Sequence, residues 1–190
     1  MTKTLIVPGL DGSPAPHWQH WLAATDPRAL TVDLSDPGRP NPVVWEAELA
    51  AMVLIHPGSV LVGHSLGAVL IARLLVRWPQ AKVRAALLVA PAETRGNDRV
   101  GHFGPIPERT LDVPAFVVGS RNDPWMTLDR TRALAHAWGA GLVDLGRAGH
   151  INVASGFGPW PLGKSLRDDL MLRTLPPAPA RPDPVFRRIL

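Results

Sequence analysis

The chain contains no cysteine. That excludes disulfides, thiolate metal sites and a cysteine nucleophile, and leaves any catalysis to oxygen and nitrogen chemistry. No apolar run reaches membrane-spanning length. The opening Met1-Thr2-Lys3-Thr4 leads straight into a core-like strand, not into the apolar region and small-residue cleavage site of a signal peptide. With the missing thiols, this reads as a cytoplasmic protein with no membrane partner. The 20 Lys and Arg residues, nearly all arginine, give a net charge of +4 but form no basic run. Nucleic-acid binding calls for charge gathered on one face among stacking aromatics, so it is not expected, and the arginines read as a solvated surface. No internal repeat is present. His17 and His20 stand three apart without a further ligand cluster, and beside Trp18 and Trp21 they read as packing, so no metal is expected. The glycine-rich stretch Pro8-Gly9-Leu10-Asp11-Gly12-Ser13 lacks both the G-x-G-x-x-G spacing and the Walker Gly-Lys-Ser/Thr ending, so no nucleotide cofactor is expected.

What is present fits one globular domain. A length of 190 residues with 46% apolar and 19% charged content can bury a sizeable core. Short apolar runs recur at Thr4 to Val7, Leu30 to Leu34, Val60 to Val62, Ala85 to Val89, Ala115 to Val118 and Gly141 to Leu145. Each is continuous, as expected of strands buried on both faces. Between them lie candidate helices at His17 to Ala24, Val43 to Ile55, Leu66 to Trp78, Leu128 to Trp138 and Lys164 to Leu172. Such alternation predicts right-handed βαβ units, hence a three-layer α/β/α fold with six parallel strands in the order 2-1-3-4-5-6. Asn41-Pro42 reads as a cap and first-turn proline, Gly139 as a helix stop. Trp45, Leu49, Met52 and Val53 form a core stripe. The domain is expected over residues 1–175. Residues 176–190 hold five prolines and end in an arginine pair followed by Ile189-Leu190, a composition that reads as a flexible tail.

The chemistry centres on Gly63-His64-Ser65-Leu66-Gly67, a G-x-S-x-G pattern placed after a buried strand and before a helix. A strained strand-to-helix turn lifts a serine hydroxyl clear of the backbone, which makes Ser65 the candidate nucleophile. A serine needs a base to take its proton and an acid to orient that base, in the chain order Ser, Asp or Glu, His, each on a loop after a strand. Asp123 follows the fifth predicted strand and His150 the sixth. Asp98, Asp112 and Asp129 lack such a placement, Asp144 lies within a strand, and His136 sits inside a helix. Taken singly, Asp123 also reads as a turn or cap residue and His150 as a surface histidine; order and spacing behind Ser65 join them into a candidate triad. His64 leaves the backbone in another direction and reads as packing near the site. Oxyanion donors are expected at the Leu66 N–H, at a helix N-terminus, and at the Leu10 N–H in the loop after the first strand, where an ordinary glycine-rich turn is the alternative.

Several segments together carry a resemblance: Pro8 to Ser13 with His17-Trp18-Gln19, Gly63 to Gly67, Asn122-Asp123-Pro124, Trp138-Gly139-Ala140, Gly149-His150-Ile151-Asn152 and Ser155 to Pro161. The sequence resembles the small alpha/beta hydrolases of the retinoblastoma-binding protein nine (YdeN-like) family, including its bacterial members, over roughly residues 3 to 172. The resemblance implies a lidless alpha/beta-hydrolase core with nucleophile, acid and base at Ser65, Asp123 and His150. Lacking cysteine, the chain cannot carry the L-x-C-x-E motif behind that family's name. The connection from Ala92 to Thr110 is too short for a helical cap, so the site should be open. Trp125, Phe157 and Trp160 are candidate pocket walls, with edge packing the alternative. The expected function is a serine hydrolase acting on a small-molecule carboxylic ester, or a thioester or amide, with no cofactor. The alternative is a binding protein on a hydrolase scaffold with little turnover.

Overall fold

The computed structural model describes residues 2–174; the proline-rich tail read at 176–190 lies outside the described residues. Six strands form one parallel sheet in the order β2-β1-β3-β4-β5-β6. They are β1 (Thr4–Val7), β2 (Ala29–Thr31), β3 (Ser59–His64), β4 (Val83–Val89), β5 (Ala115–Gly119) and β6 (Gly141–Asp144). Five helices connect and cover them: α1 (Trp18–Thr25), α2 (Pro42–Ile55), α3 (Leu66–Arg77), α4 (Leu128–Trp138) and α5 (Pro161–Arg173).

Successive strand residues point to opposite faces, and each face has its own apolar layer. Leu5, Val7, Leu61, Ala86, Leu88 and Val117 pack under α2, α3 and α4. Ile6, Val60, Val62, Leu87 and Val118 pack under α1 and α5, around Trp18, Trp160 and Leu170. The result is the alpha/beta-hydrolase arrangement, with the functional loops at the carboxyl ends of the strands. Asn41 Oδ1 accepts the N–H groups of Val43 and Val44 ahead of Pro42, and Gly139 closes α4 in the left-handed region at φ 66°. Trp45, Leu49 and Val53 form the buried stripe of α2, with Met52 half-buried at its margin.

In the centre, β3 and β4 extend one or two residues past the expected runs at their ends; the larger differences from expectation lie at the edges. β2 pairs only with β1, over Ala29 to Thr31 rather than to Leu34, because beyond the Val32 N–H bond to the Ile6 carbonyl the chain turns away. Val32 and Leu34 are nevertheless buried beneath α2, which accounts for the longer apolar run. Neither β2 nor β6 is buried on both faces: Thr31, Gly141 and Asp144 are exposed, since an edge strand has one neighbour and partial cover. α5 begins at Pro161, a full turn before the apolar pattern announces it, because Leu162 faces solvent and Gly163 lies against the Trp160 ring. Not every arginine is solvated: Arg167 is fully buried, bound to Asp26 and Thr4. Among the described residues no helix is long and apolar enough to cross a membrane, and no group of three His, Asp or Glu residues is placed to hold a metal.

Candidate active site

β3 is the central strand at the site. It ends at His64, α3 starts at Leu66, and Ser65 makes the turn between them at φ 56°. A non-glycine residue seldom enters that region, and the turn survives only because its neighbours lack side chains. A Cβ at Gly63 would come within 2.7 Å of the Ala68 nitrogen, and one at Gly67 would overlap the carbonyl oxygens of Val7 and Pro8. Strand, helix and the β1 terminus therefore close on one another around Ser65. The Ser65 N–H donates to the Val89 carbonyl at 2.9 Å, tying the turn to β4.

Two further loops reach the same point. Asp123 follows β5 and His150 follows β6, and polar side chains lace the two loops together. Ser120 Oγ accepts the Ala148 N–H and Asn122 Oδ1 accepts the Gly149 N–H, both at 2.9 Å. On the far side the His150 N–H donates to Ser155 Oγ at 3.0 Å, and Trp18 Nε1 donates to the Ile151 carbonyl at 2.9 Å. His150 is thus held from β5, from α1 and from the short 3-10 helix Val153–Ser155.

These loops bring Ser65, Asp123 and His150 into one hydrogen-bonded chain. His150 Nδ1 lies 2.9 Å from both Asp123 oxygens, and His150 Nε2 lies 2.9 Å from Ser65 Oγ. An ionised carboxylate only accepts, so Nδ1 carries the ring proton and Nε2 is left to accept from the serine hydroxyl. The His150 and Asp123 side chains are 7% and 3% exposed, which shields their interaction from water. Asp123 Oδ1 also accepts the Trp125 N–H at 2.8 Å, and the Trp125 ring stacks on His150 with centroids 5.6 Å apart.

His64 packs beside the site as expected, and it also holds it: its Nε2–H donates to the His150 carbonyl at 2.9 Å. His17 follows, with ring centroids 4.9 Å from His64, and His64 is in turn 5.0 Å from His150. Burial pushes the His64 imidazole well below its ordinary pKa, with His150 and His17 adding to the effect. Burial, then the neighbouring His150, lowers His17 to about 4. Both rings are neutral at physiological pH.

Gly9 packs directly on the serine turn: a Cβ there would meet Ser65 Cβ at 2.9 Å and the Leu66 nitrogen at 3.3 Å. Among the described residues neither the Leu66 nor the Leu10 N–H has an acceptor within the protein. A cleft of about 230 Å³ opens above Ser65, bounded by Leu10, Asp11 and Gly12 on one side and Trp125 on another. Asn152, Val153 and Ala154 form its remaining rim, and His17 and His64 border it from below. Phe157 and Trp160 do not line it. Trp160 is 6% exposed and packs edge-on against Trp18 at 5.1 Å, with Phe157 against its other side at 5.7 Å, so both belong to the core under α1 and α5. His17 borders the cleft where sequence suggested only packing, while its companion His20 is exposed. The signal available was position: His17 opens α1 directly after the loop that carries Leu10.

Residues 4–168 match the family model described as serine hydrolase. The chain belongs to that family. It is similar to a proposed YdeN-like hydrolase from Pectobacterium atrosepticum, at 31% identity over 92% of this chain and 94% of that one, with a TM-score of 0.81. The B. subtilis ydeN product has the same fold, at 21% identity over 90% of this chain and 100% of that one, with a TM-score of 0.69. So does the esterase RhEst1 of a Rhodococcus species, at 15% identity over 90% of each chain and a TM-score of 0.65. No curated protein sequence matches the chain. Family and neighbours together mark this serine hydrolase as a YdeN-like hydrolase.

Proposed function

We propose that the protein cleaves a small carboxylic ester through an acyl-enzyme on Ser65. The observation that carries this reading is the hydrogen-bonded chain from Ser65 Oγ through His150 to Asp123 at the mouth of an open cleft. Ser65 Oγ attacks the ester carbonyl while its proton passes to His150 Nε2. The carbonyl oxygen becomes an oxyanion that accepts hydrogen bonds from the Leu66 and Leu10 N–H groups. As the tetrahedral adduct collapses, the C–O bond to the alcohol breaks and the alcohol takes the proton from Nε2. Water then attacks the acyl-enzyme, giving its proton to Nε2, and collapse releases the carboxylic acid and returns that proton to Ser65. Asp123 stays ionised throughout, holding the ring in the productive tautomer and stabilising the transient imidazolium.

The cleft's modest volume supports a small ester over a polymer, and thioesters or amides of similar size would use the same steps. The likeness to retinoblastoma-binding protein nine enters this reading as shared chemistry and carries no retinoblastoma binding. The test is fluorophosphonate labelling with intact-mass detection, alongside turnover of short-chain nitrophenyl esters. Wild type should take one adduct, lost in Ser65→Ala and in His150→Ala, and Ser65→Ala should lower turnover by a factor on the order of 10⁶. An unlabelled, well-folded wild type would instead indicate a binding protein on a hydrolase scaffold.

A further inference from the structure

His17 is better equipped than its structural duties require. As the residue preceding α1 it caps the helix, with Nδ1 accepting the Gln19 N–H at 3.1 Å. Serine, asparagine or aspartate serves that purpose with a smaller side chain. Because Nδ1 is the acceptor, the proton of the neutral ring resides on Nε2. That Nε2–H has no acceptor among the described residues, yet it is not sealed from solvent. His17 is 6% exposed, and the cavity it borders is the cleft above Ser65.

The mounting is rigid. The His17 N–H donates to the Pro14 carbonyl at 2.9 Å. Two residues on, Gln19 Nε2 bridges the carbonyls of Val7 and Val62 at 3.1 and 3.3 Å, and its Oε1 accepts from Ser13 Oγ at 2.6 Å. The same helix start that fixes His17 therefore also fixes the loop bearing Leu10. A donor held this firmly at a cleft wall, with no protein partner, gains most from a ligand acceptor that replaces water. Its neutrality selects the acceptor: a neutral N–H offers an anion no ion-pair partner in return for its lost hydration, and the Asp11 charge at the cleft is already taken by Arg99, so an uncharged oxygen is the better match.

We propose that His17 is a specificity residue that donates its Nε2–H to an uncharged ether, hydroxyl or keto oxygen of the substrate, outside the scissile ester group. The preferred substrates are then oxygenated short-chain esters over their all-carbon equivalents. This rests on the acyl-enzyme reading above.

The test uses two shape-matched pairs on the full-length protein. Nitrophenyl methoxyacetate against nitrophenyl butyrate places the extra oxygen in the acyl half; 2-methoxyethyl acetate against butyl acetate places it in the alcohol half. Each kcat/KM ratio is divided by the same pair's ratio in alkaline hydrolysis, which removes intrinsic reactivity. Wild type should favour the oxygenated member of one pair by roughly 5- to 10-fold, the worth of one hydrogen bond. In His17→Asn and His17→Ser, whose side chains still cap the helix but fall short of the cleft, the corrected ratio should return to about one. A wild-type ratio equal to that of hydroxide for both pairs overturns the proposal, as does a preference that persists in either folded variant. Turnover that depends on Ser65 but shows no oxygen preference sinks only the role of His17. Turnover that survives Ser65→Ala sinks the acyl-enzyme reading itself.

Discussion

His17, His64 and His150 stand in a row beside Ser65, and only the last could be assigned a chemical role from sequence. Ser65, Asp123 and His150 were legible because each sits on a loop directly after a strand, where chain order alone arranges them. His17 was not, since a histidine flanked by tryptophans at a helix start looks the same whether it packs or faces a cleft. Phe157 and Trp160 misled for the converse reason: an aromatic pair after His150 can turn to either side of the loop, and here Trp18 takes it into the core. The histidine row makes stability sensitive to acid. The folded chain holds His17 at about 4, against an ordinary 6.5, and burial moves His64 the same way. On acidification the unfolded chain therefore binds protons first. For His17 the stabilisation is complete above pH 6.5 and drains away as pH falls toward 4, and His64 adds to the loss in the same direction. His17 alone should cost about 2 kcal/mol over that window, discounted because the ring edges a wet cleft. Urea midpoints at pH 7 and pH 4.5 should differ less for His17→Asn than for wild type, and an equal loss in both would show that His17 does not titrate this way.

α5 illustrates how an element whose start the sequence leaves open can still be fastened firmly. Its apolar stripe is thin, and its anchor is a charge: Arg167 is fully buried, donating to Asp26 at 2.6 Å, to Asp168 at 2.7 Å and to Thr4. Asp26 closes α1 and also accepts from Arg28, so one carboxylate joins the first helix, the start of β2 and the last helix. Burial alone would raise the Asp26 pKa; the hydrogen bonds from Arg28 and Arg167 outweigh it and hold the carboxyl well below the usual range. Removing one partner of such a pair strands the other, so Arg167→Ala should destabilise by about 3 to 5 kcal/mol, measured by urea denaturation. Arg167→Met combined with Asp26→Leu, which removes both charges and keeps the volume, should recover much of that loss. A single variant close to wild type would mean that α5 is held by its apolar contacts with β4 instead. The central strands were read nearly to the residue because both faces are apolar. The edge β6 was read to within one residue, but β2 was not, because a one-sided strand shares its pattern with neighbouring loops.

The architecture also sets what can enter the site. The connection between β4 and β5, the place where a cap would be inserted, folds down instead of across: Val100, Phe103 and Ile106 are buried, and Phe103 lies edge-on to Trp45 at 5.8 Å. Its outer edge reaches the Leu10 loop through Arg99, which pairs with Asp11 at 2.8 Å with both side chains more than half exposed. That segment completes the core and leaves the cleft above Ser65 uncovered. Two consequences follow for the proposed ester turnover. With about 230 Å³ available, short acyl chains should fill the cleft while longer ones extend into water and gain nothing from it. kcat/KM should therefore level off by about six acyl carbons, then hold or decline, since burial of each further CH₂ would otherwise add about 0.8 kcal/mol. And because no described residue covers the cleft, rates plotted against the concentration of a sparingly soluble ester should stay hyperbolic through the point where the ester aggregates. A step in rate at that point would require a mobile segment over the cleft. A steady rise in kcat/KM through dodecanoyl esters would require a longer apolar channel than the one between Leu10, Trp125 and Val153.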